Sequence, residues 1–189
     1  MDTLWTPWRY AYVSTVDTAT RPGVPPALEA WPGDKHCVFC NLLAAADYAI
    51  AHGMPSNEAD RAAGIVLRAP HTYICLNAFP YNSGHIMIVP RRHEPDLAGL
   101  QPDEAAEFMT LAQRSDRVLR QVYSPDGLNA GINLGKAAGA GVANHLHQHM
   151  LPRWAGDTNF MAVIGETRVL PEDLPTTWQR LHQAFAANE

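Results

Sequence analysis

Three histidines, His145, His147 and His149, alternate with other residues. In a β-strand, successive side chains point to opposite faces, so the three imidazoles would share one face and Leu146 and Gln148 would occupy the other. Neighbouring imidazoles on that face would lie about 6.6 Å apart, close enough for three rings to surround one phosphate-sized group. Packing alone favours apolar residues at such positions, because both nitrogens of a buried imidazole need partners. The row therefore predicts a functional site, although a histidine-rich metal site and a chance pattern are alternatives.

The imidazole limits the chemistry that this row can perform. A neutral ring with one available nitrogen can attack phosphorus, and its unperturbed pKa of about 6.5 keeps the neutral form present near neutral pH. His147, in the middle of the row, is best placed to act as this nucleophile.

Cysteines suggest a second site. Cys37 and Cys40 form a Cys-x-x-Cys motif, and Cys75 makes the total three. An odd number that includes this motif argues for metal or redox chemistry in a reducing compartment rather than for a disulfide framework. Two thiolates supply only half of a tetrahedral zinc site, so redox chemistry and zinc binding both remain open. Cys75 lies in a predicted strand, where we expect it to be buried.

A glycine-rich loop, residues 135–141, precedes the histidine row. Its glycines allow backbone N–H groups to approach an anion, and Lys136 adds a positive charge. The loop is not a P-loop, because Ala130 stands where that motif requires its first glycine and Ala137 replaces Ser or Thr.

Length and composition limit the classes of function. The 189 residues, 47% of them hydrophobic and 17% charged, suit one domain with a sizeable core. A formal net charge of −5 leaves no basic surplus for binding a nucleic acid, whereas a small anionic ligand needs only a local positive pocket. The sequence has no apolar run long enough to span a membrane, and its N-terminus does not resemble a secretory signal. We therefore expect a cytoplasmic protein without a membrane partner.

Several elements must position these residues. Residues 1–36 are predicted to form an aromatic arm, Trp5–Tyr12, and an irregular connector. A short helix is predicted over Asn41–His52 and a loop over Ser56–Asp60. A longer helix begins at Pro102, and the spacing of Trp178, Leu181 and Phe185 indicates another near the end. The β-rich segments predict strands at Gly64–Arg68, His71–Leu76, Gly84–Pro90, Leu128–Leu134 and the histidine row.

The segment His145–Leu151 resembles the signature of the histidine-triad family of nucleotidyl hydrolases and transferases, His-φ-His-φ-His-φ-φ, in which φ is apolar. Gln148 is its one departure from that pattern. The continuation Leu151–Asp157 is similar to that of the fragile-histidine-triad hydrolases and of actinobacterial diadenosine tetraphosphate phosphorylases, and Trp5–Arg9 is similar to the opening of the phosphorylases. The resemblance implies an α+β histidine-triad fold, with an antiparallel sheet of about five strands and two main helices. It also implies one domain over residues 37–189 and a homodimer.

The resemblance assigns catalytic roles. His147 would form a covalent nucleotidyl-histidine, and His149 would lie beside the scissile oxygen, where it could stabilise or protonate the departing group. His145 would complete the triad. His85 would lie under the triad and orient it, although a core histidine with satisfied hydrogen bonds is the competing interpretation.

Two further positions match the family's nucleotide-binding residues, besides His149, and two residues of the glycine-rich loop are further candidates for nucleotide binding. Asn77 would lie at the ribose, although capping a turn is an alternative role, and Asn133 would lie near the α-phosphate. Lys136 would contribute its charge. Gly141 stands where several hydrolytic relatives carry a glutamine, which leaves open whether water or phosphate accepts the nucleotidyl group.

The resemblance also completes the Cys-x-x-Cys motif as a structural zinc site, made of Cys37, Cys40, His93 and His145. The predicted function is cleavage of the α-phosphoryl link of a purine nucleotide. We expect a dinucleoside polyphosphate such as diadenosine tetraphosphate to be this small-molecule substrate. An adenosine phosphoramidase and a non-catalytic, zinc-stabilised nucleotide-binding protein are the alternatives.

Overall fold

The computed structural model describes residues 21–157 and 170–188. Within these residues the chain forms four α-helices and one antiparallel sheet of five strands, in the order β1-β2-β3-β5-β4. The helices are α1 Val38–Ala51, α2 Ser56–Ala63, α3 Pro102–Tyr123 and α4 Leu174–Ala187. The strands are β1 Ile65–Arg68, β2 Thr72–Leu76, β3 Ile86–Pro90, β4 Gly127–Ile132 and β5 Gln148–Arg153. The predicted α+β fold with a five-stranded antiparallel sheet is confirmed, and α2 is the one α-helix of the described residues that has no counterpart among the predicted helices.

Helices cover both faces of the central strands. Every residue of β2 and β3 is buried, and alternate side chains enter two different cores. Tyr73 and Met87 pack with α1 and α2, whereas Ile74 and Ile88 pack with α3 and α4. No helix within residues 21–157 and 170–188 is long and apolar enough to cross a membrane.

The helices α3 and α4 have the start signals and the apolar face that their sequences predict. A capping box formed by Gln101 and Glu104 begins α3, which has Pro102 in its first turn. In α4 the Asp173 side chain accepts a hydrogen bond from the Thr176 N–H, as expected of an N-cap residue. The predicted apolar face of α4 is confirmed, because Trp178, Leu181 and Phe185 are buried.

The predicted loop over Ser56–Asp60 is wrong, because these residues begin α2. This helix buries only small side chains, Ala59 and Ala63, one turn apart. The segment is polar on average and alanine is its only apolar residue type, so its composition concealed the helix. Gly64, in the left-handed region with φ of 68°, ends it.

The described part of the connector, residues 21–36, is irregular except for a short 3-10 helix, yet it packs against α1. Leu28 and Trp31 lie in the same core as α1. The buried Asn41 side chain holds the segment in place: Nδ2 donates to Pro22 O at 2.9 Å and to Asp34 Oδ1 at 2.8 Å, and Oδ1 accepts the Lys35 N–H at 2.6 Å. The predicted aromatic arm, Trp5–Tyr12, lies outside the described residues.

The prediction that one strand carries all three histidines is wrong for His145 and His147. The ladders that join β5 to β3 and β4 begin at Gln148, so only His149 lies in the strand. The preceding backbone has a different partner, because the Leu146 N–H donates to Glu94 O at 2.6 Å. This change of partner separates His145 from the face that His149 occupies.

Candidate active site and metal cluster

One ring nitrogen of His147 carries an available lone pair. Its Nδ1 lies 2.8 Å from the backbone oxygen of His145. Because a carbonyl oxygen can only accept, Nδ1 carries the proton and the lone pair is on Nε2. Nε2 makes no hydrogen bond to any residue within 21–157 and 170–188. The ring is 4% exposed, and this burial lowers its pKa below the usual value for histidine. The side chain is therefore neutral at pH 7 and suited to nucleophilic attack.

A chain of hydrogen bonds gives His149 the opposite tautomer, with its proton on Nε2. His85 Nδ1 accepts the Tyr81 N–H at 3.1 Å, so in the neutral ring the His85 proton is on Nε2. That Nε2–H donates to His149 Nδ1 at 3.0 Å, which places the proton of neutral His149 on its own Nε2. The rings of His147 and His149 lie 4.9 Å apart. Two neighbouring imidazoles therefore carry a lone pair and a proton, respectively, on their Nε2 atoms.

His145 belongs to a different cluster. Its Nε2–H donates to Pro90 O at 2.9 Å, so Nδ1 carries the lone pair, which faces the sulfur atoms of Cys37 at 3.3 Å and Cys40 at 3.5 Å. Both ring nitrogens are therefore occupied, and it is the backbone oxygen of His145 that contacts His147.

Four residues from separate elements form a group that could hold a metal ion. Cys37 precedes α1, Cys40 lies in its first turn, His93 follows β3 and His145 precedes β5; their ligand atoms all lie within 4.8 Å of one another. Cys40 Sγ lies 3.4 Å from His93 Nδ1. Zinc–ligand bonds of about 2.0–2.3 Å at tetrahedral angles place ligand atoms about 3.3–3.8 Å apart. The distances of 3.3, 3.4 and 3.5 Å between sulfur and nitrogen atoms in the cluster lie in this range, and the donor set fits a metal such as zinc.

Electrostatics in the cluster favour a thiolate. A hydrogen bond from the Cys40 thiol is the largest cause that holds the pKa of Cys37 far below the usual value for a thiol, although burial opposes the shift. The thiolate is the form of cysteine that binds metals. Burial raises the pKa of the separate Cys75 thiol to about 12, which keeps it protonated.

Two aromatic residues that the sequence analysis did not select contact the histidines. Phe39 lies between the two cysteines of the motif, and its ring centroid is 4.9 Å from that of His147 and 5.5 Å from that of His145. Tyr81 packs 4.8 Å from His85 and 6.2 Å from His149. The position of Phe39 inside the Cys-x-x-Cys motif was the one sequence signal that could have indicated these contacts. The first turn of α1, which carries Cys40, thus also packs against the His147 ring.

The predicted nucleotide-binding residues lie in the segments that follow β2 and β4. Asn77 caps a turn, because its Oδ1 accepts the Phe79 N–H at 2.9 Å, and its Nδ2 lies 3.4 Å from His85 Nε2. Asn133 follows β4, and Lys136 is exposed on a 3-10 helix, Lys136–Ala138. Gly141 is partly buried in the same loop. The roles of these four residues toward a nucleotide stay predictions.

Comparisons with known proteins show the family of the chain. Residues 58–156 match the HIT domain model. Over 122 residues the chain is 43% identical to the AP-4-A phosphorylase of Mycobacterium tuberculosis, and the match covers 65% of this chain and 63% of that protein. It is 28% identical over 125 residues to an uncharacterized HIT-like protein of Saccharolobus solfataricus, covering 66% and 79% of the two chains. The chain thus matches less than two thirds of the length of the phosphorylase.

Solved structures show the same fold. A Zn-bound histidine triad family protein from Mycobacterium smegmatis superposes with a TM-score of 0.56 at 28% identity, covering 80% of this chain and 94% of that one. A hypothetical histidine triad nucleotide-binding protein from Sulfolobus tokodaii gives a TM-score of 0.57 at 21% identity, covering 80% and 93%.

Proposed function

The chain belongs to the HIT domain family, and from that premise we propose that it is an enzyme that transfers a nucleotidyl group through a covalent intermediate on His147. The observation that carries the proposal is that two neighbouring imidazoles differ in the protonation of their Nε2 atoms. Hydrogen bonds to the His145 carbonyl and from His85 give His147 a lone pair on Nε2 and His149 a proton on Nε2.

The first step follows from these two atoms. His147 Nε2 attacks the α-phosphorus of a bound nucleotide, so that a P–N bond forms while the bond to the leaving oxygen breaks. The leaving oxygen takes the proton from His149 Nε2. The attacked ring of His147 becomes cationic, and its Nδ1–H bond to the His145 carbonyl, 2.8 Å long, stabilises that charge.

In the second step an acceptor attacks the nucleotidyl-histidine. His149, now with a lone pair on Nε2, takes the proton of the acceptor, and the P–N bond breaks. The starting protonation of both rings is thereby restored. Burial keeps His147 neutral between turnovers because it lowers the pKa of the ring.

We propose a dinucleoside polyphosphate, diadenosine tetraphosphate, as substrate and inorganic phosphate as acceptor. The support is the 43% identity to a protein named AP-4-A phosphorylase. The resemblance described in the sequence analysis adds that Gly141 stands where several hydrolytic relatives carry a glutamine. The products would be ATP from the first step and ADP from the second.

We also propose that the metal cluster binds zinc. The support is its donor set of two sulfur and two nitrogen atoms and the likeness to a Zn-bound family member. Zinc would supply a rigid cross-link there, without a part in the reaction at phosphorus. Cys37, Cys40, His93 and His145 would hold it, and the backbone of His145 would in turn hold His147. A homodimer stays a prediction, which sedimentation equilibrium would test.

Incubation with diadenosine tetraphosphate, with and without inorganic phosphate, tests the function. Formation of ADP and ATP that requires phosphate is the expected result. Formation of AMP and ATP in both conditions would replace phosphorolysis by hydrolysis but retain the covalent mechanism. Faster turnover of adenosine 5′-phosphoramidate would favour a phosphoramidase, and binding without turnover of any of these nucleotides would contradict an enzyme.

A further inference from the structure

The peptide group between His145 and Leu146 makes a hydrogen bond at each end. Its carbonyl oxygen accepts the Nδ1–H of His147 at 2.8 Å, and its N–H donates to the backbone oxygen of Glu94 at 2.6 Å. Leu146 is 2% exposed and His147 is 4% exposed, so water competes little for either bond. The orientation of the His147 ring therefore depends on the position of the Glu94 backbone.

The two hydrogen bonds strengthen each other because they share one peptide group. Donation by the Leu146 N–H shifts electron density toward the carbonyl oxygen, which becomes a better acceptor for the Nδ1–H of His147. In the proposed reaction the His147 ring becomes cationic when the P–N bond forms, and a charged donor makes a stronger hydrogen bond than a neutral one. Loss of the contact with Glu94 should consequently lower kcat more than it changes KM.

The side chain of Glu94 anchors its own backbone. The carboxylate accepts a hydrogen bond from Arg92 Nη1 at 2.8 Å and one from the Asp96 N–H at 3.2 Å, and most of the side chain is buried. Close packing adds a further constraint, because a Cβ added at Gly99 would overlap the Glu94 carboxylate. The carboxylate thus limits where the backbone oxygen of the same residue can lie.

Arg92 joins this segment to α3. Its guanidinium donates to both carboxylate oxygens of Glu104, in the first turn of α3, at 2.9 and 2.7 Å, and to Gly99 O at 2.6 Å. Glu104 is itself buried. The segment that carries Glu94 is therefore fixed to a long helix on one side and to the Leu146 peptide on the other.

We propose that Glu94 is a positioning residue for the nucleophile: its backbone oxygen, held in place by its carboxylate, orients the Leu146 peptide and through it the His147 ring. The inference rests on the proposed function and adds to it a residue that acts on the nucleophile through a peptide group. In a catalytic triad a carboxylate accepts directly from the imidazole. Here a peptide carbonyl makes that contact, and Glu94 holds the peptide.

Replacement of one amide by an ester tests the contact. Incorporation of (S)-2-hydroxy-4-methylpentanoic acid at position 146 retains the leucine side chain, removes the N–H and makes the preceding carbonyl a weaker acceptor. The same replacement at position 28 is the matched control, since Leu28 is also 2% exposed and its N–H donates to Pro25 O at 2.9 Å. Both proteins lose one backbone hydrogen bond of a buried leucine, but only the first loses the contact with Glu94.

Side-chain variants separate the role of Glu94 from that of the carbonyl. Glu94→Ala removes the anchoring carboxylate and leaves every peptide bond intact. Asp96→Ala is the control, because it removes the same charge from the same segment and the Asp96 side chain makes no capping hydrogen bond. Glu94→Gln should recover part of the effect, since its amide oxygen can still accept a hydrogen bond.

Two readouts should change together. For diadenosine tetraphosphate, we expect kcat to fall by about 3- to 10-fold in the ester at position 146 and in Glu94→Ala, with KM changed by less than about twofold. In nuclear magnetic resonance spectra of the same two proteins, the His147 Nδ1–H proton should move upfield because its hydrogen bond weakens. Burial of the ring slows exchange of this proton with water, and its absence in His147→Ala identifies it. Both controls should match the unaltered protein in both readouts.

Equal kcat values and an unmoved proton resonance in the two esters, or in Glu94→Ala and Asp96→Ala, would overturn the inference. A loss of kcat without a shift of the resonance would also overturn it, because the hydrogen bond of the His147 ring would then not depend on Glu94. Failure of the proposed function gives a different result. The unaltered protein would then turn over no nucleotide, whereas the resonance would still show whether Glu94 affects His147.

Discussion

His85 Nε2 lies 3.0 Å from His149 Nδ1, and this hydrogen bond determines which nitrogen of His149 carries its proton. Without His85, the neutral His149 ring can adopt either tautomer and can rotate. If His149 is the proton donor that we propose, its partner His85 should affect the rate through the orientation of that ring.

Replacing His85 by alanine should lower kcat by about 10- to 100-fold with little change in KM, because the proton donor is misaligned in the transition state while nucleotide contacts remain. His85→Gln should recover part of the rate, since its amide can still donate to His149. His52→Ala, at an exposed ring stacked on Tyr48, is the control. Equal kcat values in all three variants would exclude an orienting role.

Removal of one sulfur ligand should empty the metal cluster. We expect Cys37→Ser to lose bound zinc, as measured by atomic absorption. We also expect this variant to have a free energy of unfolding lower by about 4 kcal/mol or more, because the cluster joins α1 to the segments after β3 and before β5. Cys75→Ala should retain the metal, because Cys75 lies outside the group. Unaltered metal content in Cys37→Ser would contradict the assigned ligand set.

The pH dependence of the reaction should reflect the buried nucleophile. Burial lowers the pKa of His147, and only its neutral form attacks phosphorus. Activity should therefore persist below pH 6.5, the usual histidine value, and should fall at more acidic pH as His147 becomes protonated. A profile of kcat/KM between pH 4.5 and 8 measures this, with circular dichroism as a check on folding. A midpoint of the acid limb above about 6.5 would contradict the prediction.

An ion pair next to His93 should make stability depend on pH. Arg92, with support from the Gln101 N–H, lowers the pKa of Glu104 to about 2; Arg92 Nε donates to Glu104 Oε1 at 2.9 Å and Nη2 to Oε2 at 2.7 Å. Because the folded value lies below the unfolded value of about 4.3, the stabilisation is present above pH 4.3 and is lost as the pH falls toward 2.

Glu104→Gln should therefore lower the free energy of unfolding at pH 7 by about 1–3 kcal/mol and reduce its change between pH 4.5 and 2. Urea titrations at several pH values measure both effects. Glu58→Gln, at an exposed position in the first turn of α2, should leave the pH dependence intact. An identical dependence in Glu104→Gln and the unaltered protein would show that this pair does not stabilise the fold.

Hydrophobic patterns predicted much of this fold because they record burial directly. The five strands lie close to their predicted positions, and Trp178, Leu181 and Phe185 form the buried face of α4. The pattern failed where burial involves only alanine, as in α2. It also failed at the start of β5, because the extent of a strand depends on the partners that its backbone finds.

The site was less predictable than the fold, since its contacts join distant parts of the chain. The alternation of histidines identified His147 and His149, but the resemblance to a family was needed to associate His93 and His145 with the two cysteines. The packing of Phe39 against His147 depends on how α1 crosses the sheet, which no local pattern encodes.

Covalent capture of a nucleotide by His147 is the central claim, and rapid quenching with diadenosine tetraphosphate labelled in the adenine ring tests it most directly. Peptide mapping should find labelled AMP on His147 alone. His147→Ala should show no label and should lower turnover by at least about 10⁴-fold. Label on a different residue, or turnover that survives the loss of this imidazole, would contradict the account.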